Sequence, residues 1–104
     1  MNRSYWTFPG IDNITPEEIF KKICISEDAD PETVKKSRKY EYVIIKQMYC
    51  YIARKMTMAS FKEIGEVIDK DHATVLYSCN KIEDHLGIGY KSVKNLYNKI
   101  NKIL

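Results

Sequence analysis

Apolar residues recur at three- and four-residue intervals along most of the chain, and this spacing predicts helices rather than strands. Two short helices near the start carry the same start signal, Thr15 before Pro16 and Asp30 before Pro31. A capping side chain followed by proline favours the first turn of a helix. The apolar side of the first helix is predicted to consist of Ile19, Phe20 and Ile23.

Further helices follow, each with its own apolar stripe. A longer helix is predicted over residues 40–55. Ser60 and Glu63 match a capping box, so another helix begins directly after Ser60. Gly87 is predicted to end the next helix in a left-handed conformation. The predicted stripes are Ile44, Met48, Tyr51, Ile52 and Met56 in the long helix, Val75, Leu76, Cys79, Ile82 and Leu86 in the penultimate helix, and Val93, Leu96, Ile100 and Ile103 in the last.

Length and composition fit one soluble domain. With 104 residues, 44% of them hydrophobic and 30% charged, the chain is expected to form a single all-α domain of about five or six helices. No apolar run approaches the roughly 18 residues of a membrane span, so no membrane partner is expected. Nor does the N-terminus look like a secretory signal. The three widely spaced cysteines predict buried thiols in a reducing cytoplasm rather than disulfides.

Basic residues are concentrated in one part of the chain, although the net charge is only +3. The segment 35–55 holds a single acid, Glu41, whereas the segment 26–32 is acidic. A basic block in a nearly balanced chain predicts a face that contacts phosphate. The alternative is an ordinary solvated helix face. The basic residues of the block are Lys35, Lys36, Arg38, Lys39, Lys46, Arg54 and Lys55.

A short polar turn at Asp69 and Lys70 joins two predicted helices, 61–68 and 71–86. This arrangement predicts a helix-turn-helix, whose second helix enters the DNA major groove with its N-terminal residues at the base edges. Gly65, inside the first of these helices, suggests a close approach by another helix.

The first residues of the second helix have side chains suited to base contacts. Asp71 can cap the helix and accept a hydrogen bond from a cytosine amino group. His72 can donate or accept, Ala73 can pack on a thymine methyl group, and Thr74 offers a hydroxyl. The alternative is that Asp71 is only a cap and His72 only an exposed polar residue.

The stretch from Arg38 to Leu86 resembles the C-terminal DNA-binding domain (domain IV) of the bacterial chromosomal replication initiator DnaA. The family signature "RDHTTV…KI" corresponds here to "KDHATV…KI", and upstream the family's "RQ" and "LT…S…EIG" correspond here to "KQ" and "MT…S…EIG". The resemblance implies a helix-turn-helix of the Trp-repressor or DnaA domain IV type. The matching residues are Lys70-Asp71-His72-Ala73-Thr74-Val75 with Lys81-Ile82, and upstream Lys46-Gln47, Met56-Thr57, Ser60 and Glu63-Ile64-Gly65.

The resemblance also implies roles for individual residues. The signature positions Asp71, His72 and Thr74 would contact bases in the major groove, and Arg38 would reach the adjacent minor groove. With Ala73, the predicted base contacts are Arg38, Asp71, His72, Ala73 and Thr74. The predicted phosphate contacts are Lys46, Gln47 and Arg54, together with the neighbouring Lys39 and Lys70.

The chain departs from the family pattern in three respects. The two-glycine turn before the signature is replaced by Asp69, with one residue fewer, and Ala73 stands where the family usually has threonine. Full-length members carry an ATP-binding motor, whereas this sequence contains no GxxxxGK[ST] loop, so no ATP hydrolysis is expected. We expect an N-terminal extension over residues 1–37, with one or two short helices, and the DnaA-like domain over residues 38–104.

No cofactor or metal site and no enzymatic activity are predicted. Cys50, Cys79, His72 and His85 show no CxxC or HxxxH spacing for zinc. Acidic pairs lie in solvated runs, and no catalytic set of Ser, His and Asp or of Cys and His can be assembled from the spacing.

The sequence therefore favours sequence-specific binding of double-stranded DNA, in replication initiation, its regulation, or transcriptional regulation. The expected partner is a DnaA-box-like duplex, bound by a monomer in the cytoplasm at the nucleoid. The alternative is a protein-interaction module that keeps the fold but no longer contacts DNA specifically, with a replication protein as its partner. The acid at Asp69 and the low net charge favour this alternative.

Overall fold

The computed structural model describes residues 14–104, and within this range the chain forms six α-helices and no strand. The prediction of an all-α domain is confirmed. The first 13 residues of the predicted extension lie outside the described range. The helices are α1 (Pro16–Ser26), α2 (Pro31–Lys36), α3 (Tyr40–Met56), α4 (Phe61–Val67), α5 (His72–Gly87) and α6 (Lys91–Ile103).

Side-chain caps start four of the six helices, as their sequences predict. Thr15 accepts a hydrogen bond from the backbone N–H of Glu18, and Asp30 accepts one from Thr33. Such caps satisfy N–H groups that have no partner within the helix. The same arrangement recurs at the starts of α4 and α5, where Ser60 and Asp71 are the caps.

The predicted stop at Gly87 is wrong by two residues. Gly87 is the last residue of α5, and the left-handed residue is Gly89, with φ of 74°. The helix continues through Gly87 because the Ile88 N–H still bonds to the Asp84 carbonyl, at 3.1 Å. The chain then reverses at Gly89, where a glycine accommodates positive φ without a steric penalty.

Helix α3 is the centre of the core and is buried on every side over residues 45–53. The buried surface of α3 is therefore wider than the single apolar stripe predicted for this helix from the sequence. Helices α1, α2, α4 and α5 all pack against α3. The Tyr49 hydroxyl donates to the Ile64 carbonyl at 2.7 Å, and its ring meets Phe20 edge-on with centroids 5.2 Å apart. These contacts tie α4, the first helix of the helix-turn-helix, to the core. Ile44 lies near the start of α3 and is only half-buried.

Two predicted core positions are wrong. Leu76 of α5 is 43% exposed and Ile103 of α6 is 44% exposed. In α5 the buried face contains Val75, Ser78 and Ile82, so the true stripe passes beside Leu76. Ile103 lies in the last turn of α6, beyond the buried part of that helix.

Helices α1 and α2 belong to the same core as the rest. Ile23 and Cys24 of α1 and Val34 of α2 are buried in the cluster that also holds α3 to α6. The described part of the predicted extension thus packs as part of one globule, and the division at residue 38 stays a prediction. No helix in residues 14–104 has the length and apolarity needed to cross a bilayer.

The three cysteines are free thiols, and the predicted burial holds for two of them. Cys24 and Cys50 are buried, and Cys79 is half-buried. Burial raises the pKa of Cys24 to about 11 and that of Cys50 to about 12.

Candidate nucleic-acid interface

Helices α4 and α5 meet at a short turn that brings their backbones into contact. The Lys70 N–H donates to the Gly65 carbonyl at 2.9 Å, and the Ile68 N–H donates to the same oxygen at 3.1 Å. A Cβ atom at Gly65 would overlap the Lys70 carbonyl and would lie 3.1 Å from a Val75 methyl group. The close approach predicted at Gly65 is therefore confirmed, and it occurs against the turn and the first turn of α5.

Asp69 gives the turn its reversal. Its φ is 58°, in the left-handed region that glycine adopts most easily and that Asp and Asn tolerate better than other side chains. The residue at this position therefore carries a carboxylate immediately before the tip of α5, in a conformation that favours glycine.

The tip of α5, Asp71 to Thr74, is exposed at all four positions. Asp71 Oδ1 accepts the Thr74 N–H at 2.9 Å, and this hydrogen bonding to Thr74 lowers the pKa of Asp71 from its ordinary 3.8. Val75, the next residue, is fully buried. The tip therefore projects outward, while the buried residue next to it holds the start of α5 against the core. This is the placement that a recognition helix requires to reach the edges of DNA bases.

A groove of about 220 Å³ lies beside the tip, between α5, α3 and the segment that joins α2 to α3. It brings together five of the residues predicted to contact DNA. These residues are Arg38, Lys46, Gln47, Lys70 and Thr74. Residues from three separate parts of the sequence thus converge next to the tip.

Within the groove, Arg38 and Lys70 are exposed, whereas Lys46 and Gln47 are each only 8% exposed. The Lys46 ammonium donates to the backbone carbonyls of Ser37 at 2.9 Å and of Lys35 at 3.4 Å. Burial lowers the pKa of Lys46, and the nearby positive charges of Lys70 and Arg38 lower it further. These three cations therefore form one electropositive cluster.

Gln47 leaves a buried acceptor without a partner. No hydrogen-bond partner for its Oε1 atom lies within the described residues. An unpaired buried polar atom is costly, so Gln47 Oε1 requires a hydrogen-bond donor, such as a water molecule, that the described residues do not supply.

Arg54 and Lys39 do not line the groove. The Arg54 guanidinium lies over the Phe61 ring, 4.6 Å from its centroid. Arg54 follows Gln47 by seven residues and so lies on the same side of α3, about 10 Å further along the helix. Lys39 is exposed at the N-cap of α3, directly after Arg38. Exposed cations thus occur near both ends of α3.

From the sequence, Tyr77 is one of several tyrosines that could stack or hydrogen-bond at a DNA surface, although a place at the edge of the core is favoured, and Lys81 is assigned no contact. Tyr77 lines the groove, is 59% exposed, and has the Lys81 ammonium 5.7 Å from its ring centroid. The available signal was helical spacing, because Thr74, Tyr77 and Lys81 follow one another at three- and four-residue steps along one side of α5. Among residues 14–104, no group of three or more His, Cys, Asp and Glu side chains is arranged to hold a metal ion.

Comparison with known proteins agrees with this geometry. Residues 16–82 match the family model of the bacterial DnaA protein helix-turn-helix. The chain belongs to this family. The match begins in α1 and ends within α5, so it includes α1 and α2 as well as the helix-turn-helix itself. The resemblance inferred from the signature is confirmed, and family membership supports DNA binding by this chain.

Individual relatives match over most of this chain. It is 36% identical over 77 residues to the chromosomal replication initiator protein DnaA of Bacteroides thetaiotaomicron, covering 72% of this chain and 16% of that protein. The protein of the same name from Trichormus variabilis is 44% identical over 70 residues, covering 65% of this chain and 15% of the relative. The DnaA protein of Geotalea daltonii is 34% identical over 94 residues, covering 88% of this chain and 21% of the relative. The chain thus spans about a fifth or less of the length of these relatives.

Proposed function

We propose that this chain binds double-stranded DNA sequence-specifically, with the tip of α5 in the major groove. The observation that carries the proposal is the exposed tip, Asp71 to Thr74, beside a groove where Arg38 and Lys70 converge. Polar side chains at the start of a recognition helix contact base edges, and adjacent cations contact phosphates.

Each tip residue has a defined part in this proposal. Asp71 caps α5 through the Thr74 N–H and retains acceptor capacity for a cytosine amino group. His72 and Thr74 are exposed side chains that can both donate and accept, and we assign His72 the largest share of base discrimination and Thr74 a hydroxyl contact. Ala73 offers a methyl contact but no hydroxyl. Arg38 reaches the adjacent minor groove.

Phosphate contacts would come from exposed cations around the tip. Lys39, Lys70 and Arg54 are exposed. Gln47 lines the groove, and its side-chain NH2 group, not its Oε1 atom, would donate a neutral contact to a phosphate oxygen. Each phosphate neutralised by Lys or Arg releases counterions, so affinity should fall steeply with salt.

We further propose a role in replication initiation, in its regulation, or in transcriptional regulation, without ATP hydrolysis. The relatives named as chromosomal replication initiators support the first two. Their matching part is the helix-turn-helix region, which by itself is a binding module. A monomer bound to each site at the nucleoid is the simplest arrangement.

Selection of bound duplexes from a random library, followed by fluorescence anisotropy at several salt concentrations, tests the proposal. His72→Ala should reduce discrimination between the selected duplex and a scrambled one by about 1–3 kcal/mol. It should leave the salt slope unchanged. Arg54→Ala should weaken both duplexes alike and should reduce the slope of log K against log salt by about 0.9.

Lys102→Ala provides the matched control, because Lys102 is an exposed cation in the last turn of α6. Lys102→Ala should change neither the discrimination between the two duplexes nor the salt slope. Equal effects of His72→Ala and Arg54→Ala on discrimination and slope would contradict the assigned roles. An affinity that did not change with salt concentration would contradict the DNA-binding proposal as a whole.

One observation favours a second candidate, a protein-interaction module that retains the fold. Asp69 places a carboxylate directly before the tip, where it would repel a phosphate backbone. In that case a replication protein would be retained in a pull-down by a chain carrying Arg38→Ala, Lys46→Ala and Arg54→Ala, and the selection would yield no preferred duplex.

A further inference from the structure

The Lys46 side chain joins α3 to the end of α2. Its ammonium donates to the carbonyls of Ser37 and Lys35, the C-cap and the penultimate residue of α2. Carbonyls at the end of a helix have no partner within the helix, and a lysine can satisfy them. Lys46 thus acts as a cap supplied from another helix.

This cap fixes the short segment that carries Arg38. Ser37 is held by its own N–H, which donates to Thr33, and by its carbonyl, which accepts from Lys46. Its hydroxyl accepts the Lys39 N–H at 3.1 Å. Arg38 therefore lies between two residues whose backbones are hydrogen-bonded, while its own side chain remains exposed.

A direct phosphate contact by Lys46 is disfavoured by its burial. The side chain is only 8% exposed, and two of the three N–H donors of its ammonium already bind backbone carbonyls. Arg38 and Lys70 are exposed beside it and would be closer to an approaching phosphate backbone. The one remaining donor of a largely buried ammonium would add a contact that its exposed neighbours already supply.

We propose that Lys46 positions Arg38 for its minor-groove contact and is not itself a phosphate contact. This inference rests on the DNA-binding function proposed above. It changes the role predicted for Lys46 from the sequence and makes Lys46 a determinant of specificity that acts through Arg38.

A double-mutant cycle with Arg38→Ala separates the two roles. Lys46→Met keeps most of the apolar stem and removes the ammonium. It should weaken binding to the selected duplex about tenfold, the scale of one lost base contact. The salt slope should change by less than about 0.3. In the Arg38→Ala background, Lys46→Met should cause no further loss, because the group that it positions is already absent.

Lys70→Met is the matched control, an exposed lysine of the same groove. It should reduce the salt slope by about 0.9, and its effect should add to that of Arg38→Ala. If Lys46→Met behaved in the same way as Lys70→Met, the inference would be overturned.

Hydrogen exchange in the DNA-free protein provides a separate test. The Lys39 amide should exchange faster in Lys46→Met than in the wild type, whereas the Glu63 amide, whose N–H donates to the Ser60 hydroxyl, should not change. If the Lys39 amide of Lys46→Met exchanged at the wild-type rate, while the wild type bound DNA sequence-specifically, this inference alone would be overturned. Wild-type binding without sequence preference, together with faster exchange at Lys39, would overturn the proposed function instead.

Ser37→Ala repeats the test in case Lys46→Met does not fold. It removes the hydroxyl that accepts the Lys39 N–H and leaves the Lys46 side chain in place. The same loss of affinity, absent in the Arg38→Ala background, is expected. Additive losses would count against positioning.

Discussion

The tip of α5 and the cations around it were predicted with equal detail, but the structure presents them differently. The tip consists of four consecutive residues, all exposed, and its cap lies within the same turn. The predicted phosphate contacts come from α3, its N-terminal flank and the α4–α5 turn, and they range from exposed to 8% exposed. The surface proposed to contact bases is therefore set by local sequence, whereas the surface proposed to contact phosphates depends on how distant segments pack.

The largest expected effect comes from the turn that holds the tip. Gly65→Ala would place a Cβ atom against the Lys70 carbonyl, a backbone atom that cannot move without displacing α5. We expect the free energy of unfolding to fall by about 3 kcal/mol, as for overpacking at a rigid site. Urea unfolding followed by circular dichroism measures this change.

Gly87→Ala is the control for that experiment. A Cβ atom at Gly87 meets nothing within 4 Å, and alanine favours a helix, so stability should rise by up to about 1 kcal/mol. Similar losses from both substitutions would show that the α4–α5 contact at Gly65 is not the cause.

A smaller effect is expected where α3 supports α4. Tyr49→Phe removes the hydroxyl that donates to the Ile64 carbonyl and leaves a buried acceptor unpaired. The expected loss of stability is about 1–2 kcal/mol. Tyr77→Phe, at an exposed position, should have almost no effect on unfolding. If Tyr49→Phe proved as neutral as Tyr77→Phe, the tip would not depend on this hydrogen bond.

The smallest effect concerns the left-handed residue before the tip. Asp69→Gly relieves a positive φ and should stabilise the chain by about 0.5–1 kcal/mol. It should also strengthen DNA binding, because a carboxylate beside the phosphates is removed. Thermal unfolding and anisotropy titration measure the two changes.

Asp28→Gly is the matched control, since Asp28 has a similar φ of 55° but lies between α1 and α2. It should give a similar gain in stability with no change in DNA affinity. If both substitutions strengthened binding equally, charge at the turn would not be the reason.

Features that depend on neighbouring residues were predictable from the sequence. The caps at Thr15, Asp30, Ser60 and Asp71 each involve a partner three residues away, so the sequence contains both members of each pair. The helix-turn-helix follows from two such starts and a short turn. The exposure of the tip follows in turn, because an amphipathic helix can bury only one side.

Features that depend on packing were not predictable in the same way. Lys46 belongs to a basic block, yet the carbonyls that bind its ammonium lie 9 and 11 residues upstream, at the end of another helix. The all-round burial of α3 likewise arises from four neighbouring helices. In α5, Leu76 is more apolar than Ser78, but the position of α3 selects Ser78 as the buried residue.

The raised pKa values of Cys24 and Cys50 have a chemical consequence. Only a thiolate attacks an oxidant or a disulfide, and at neutral pH these two sulfurs are protonated as well as shielded. In the folded domain the thiols of Cys24 and Cys50 should therefore react more slowly with oxidants and alkylating reagents than an exposed cysteine does.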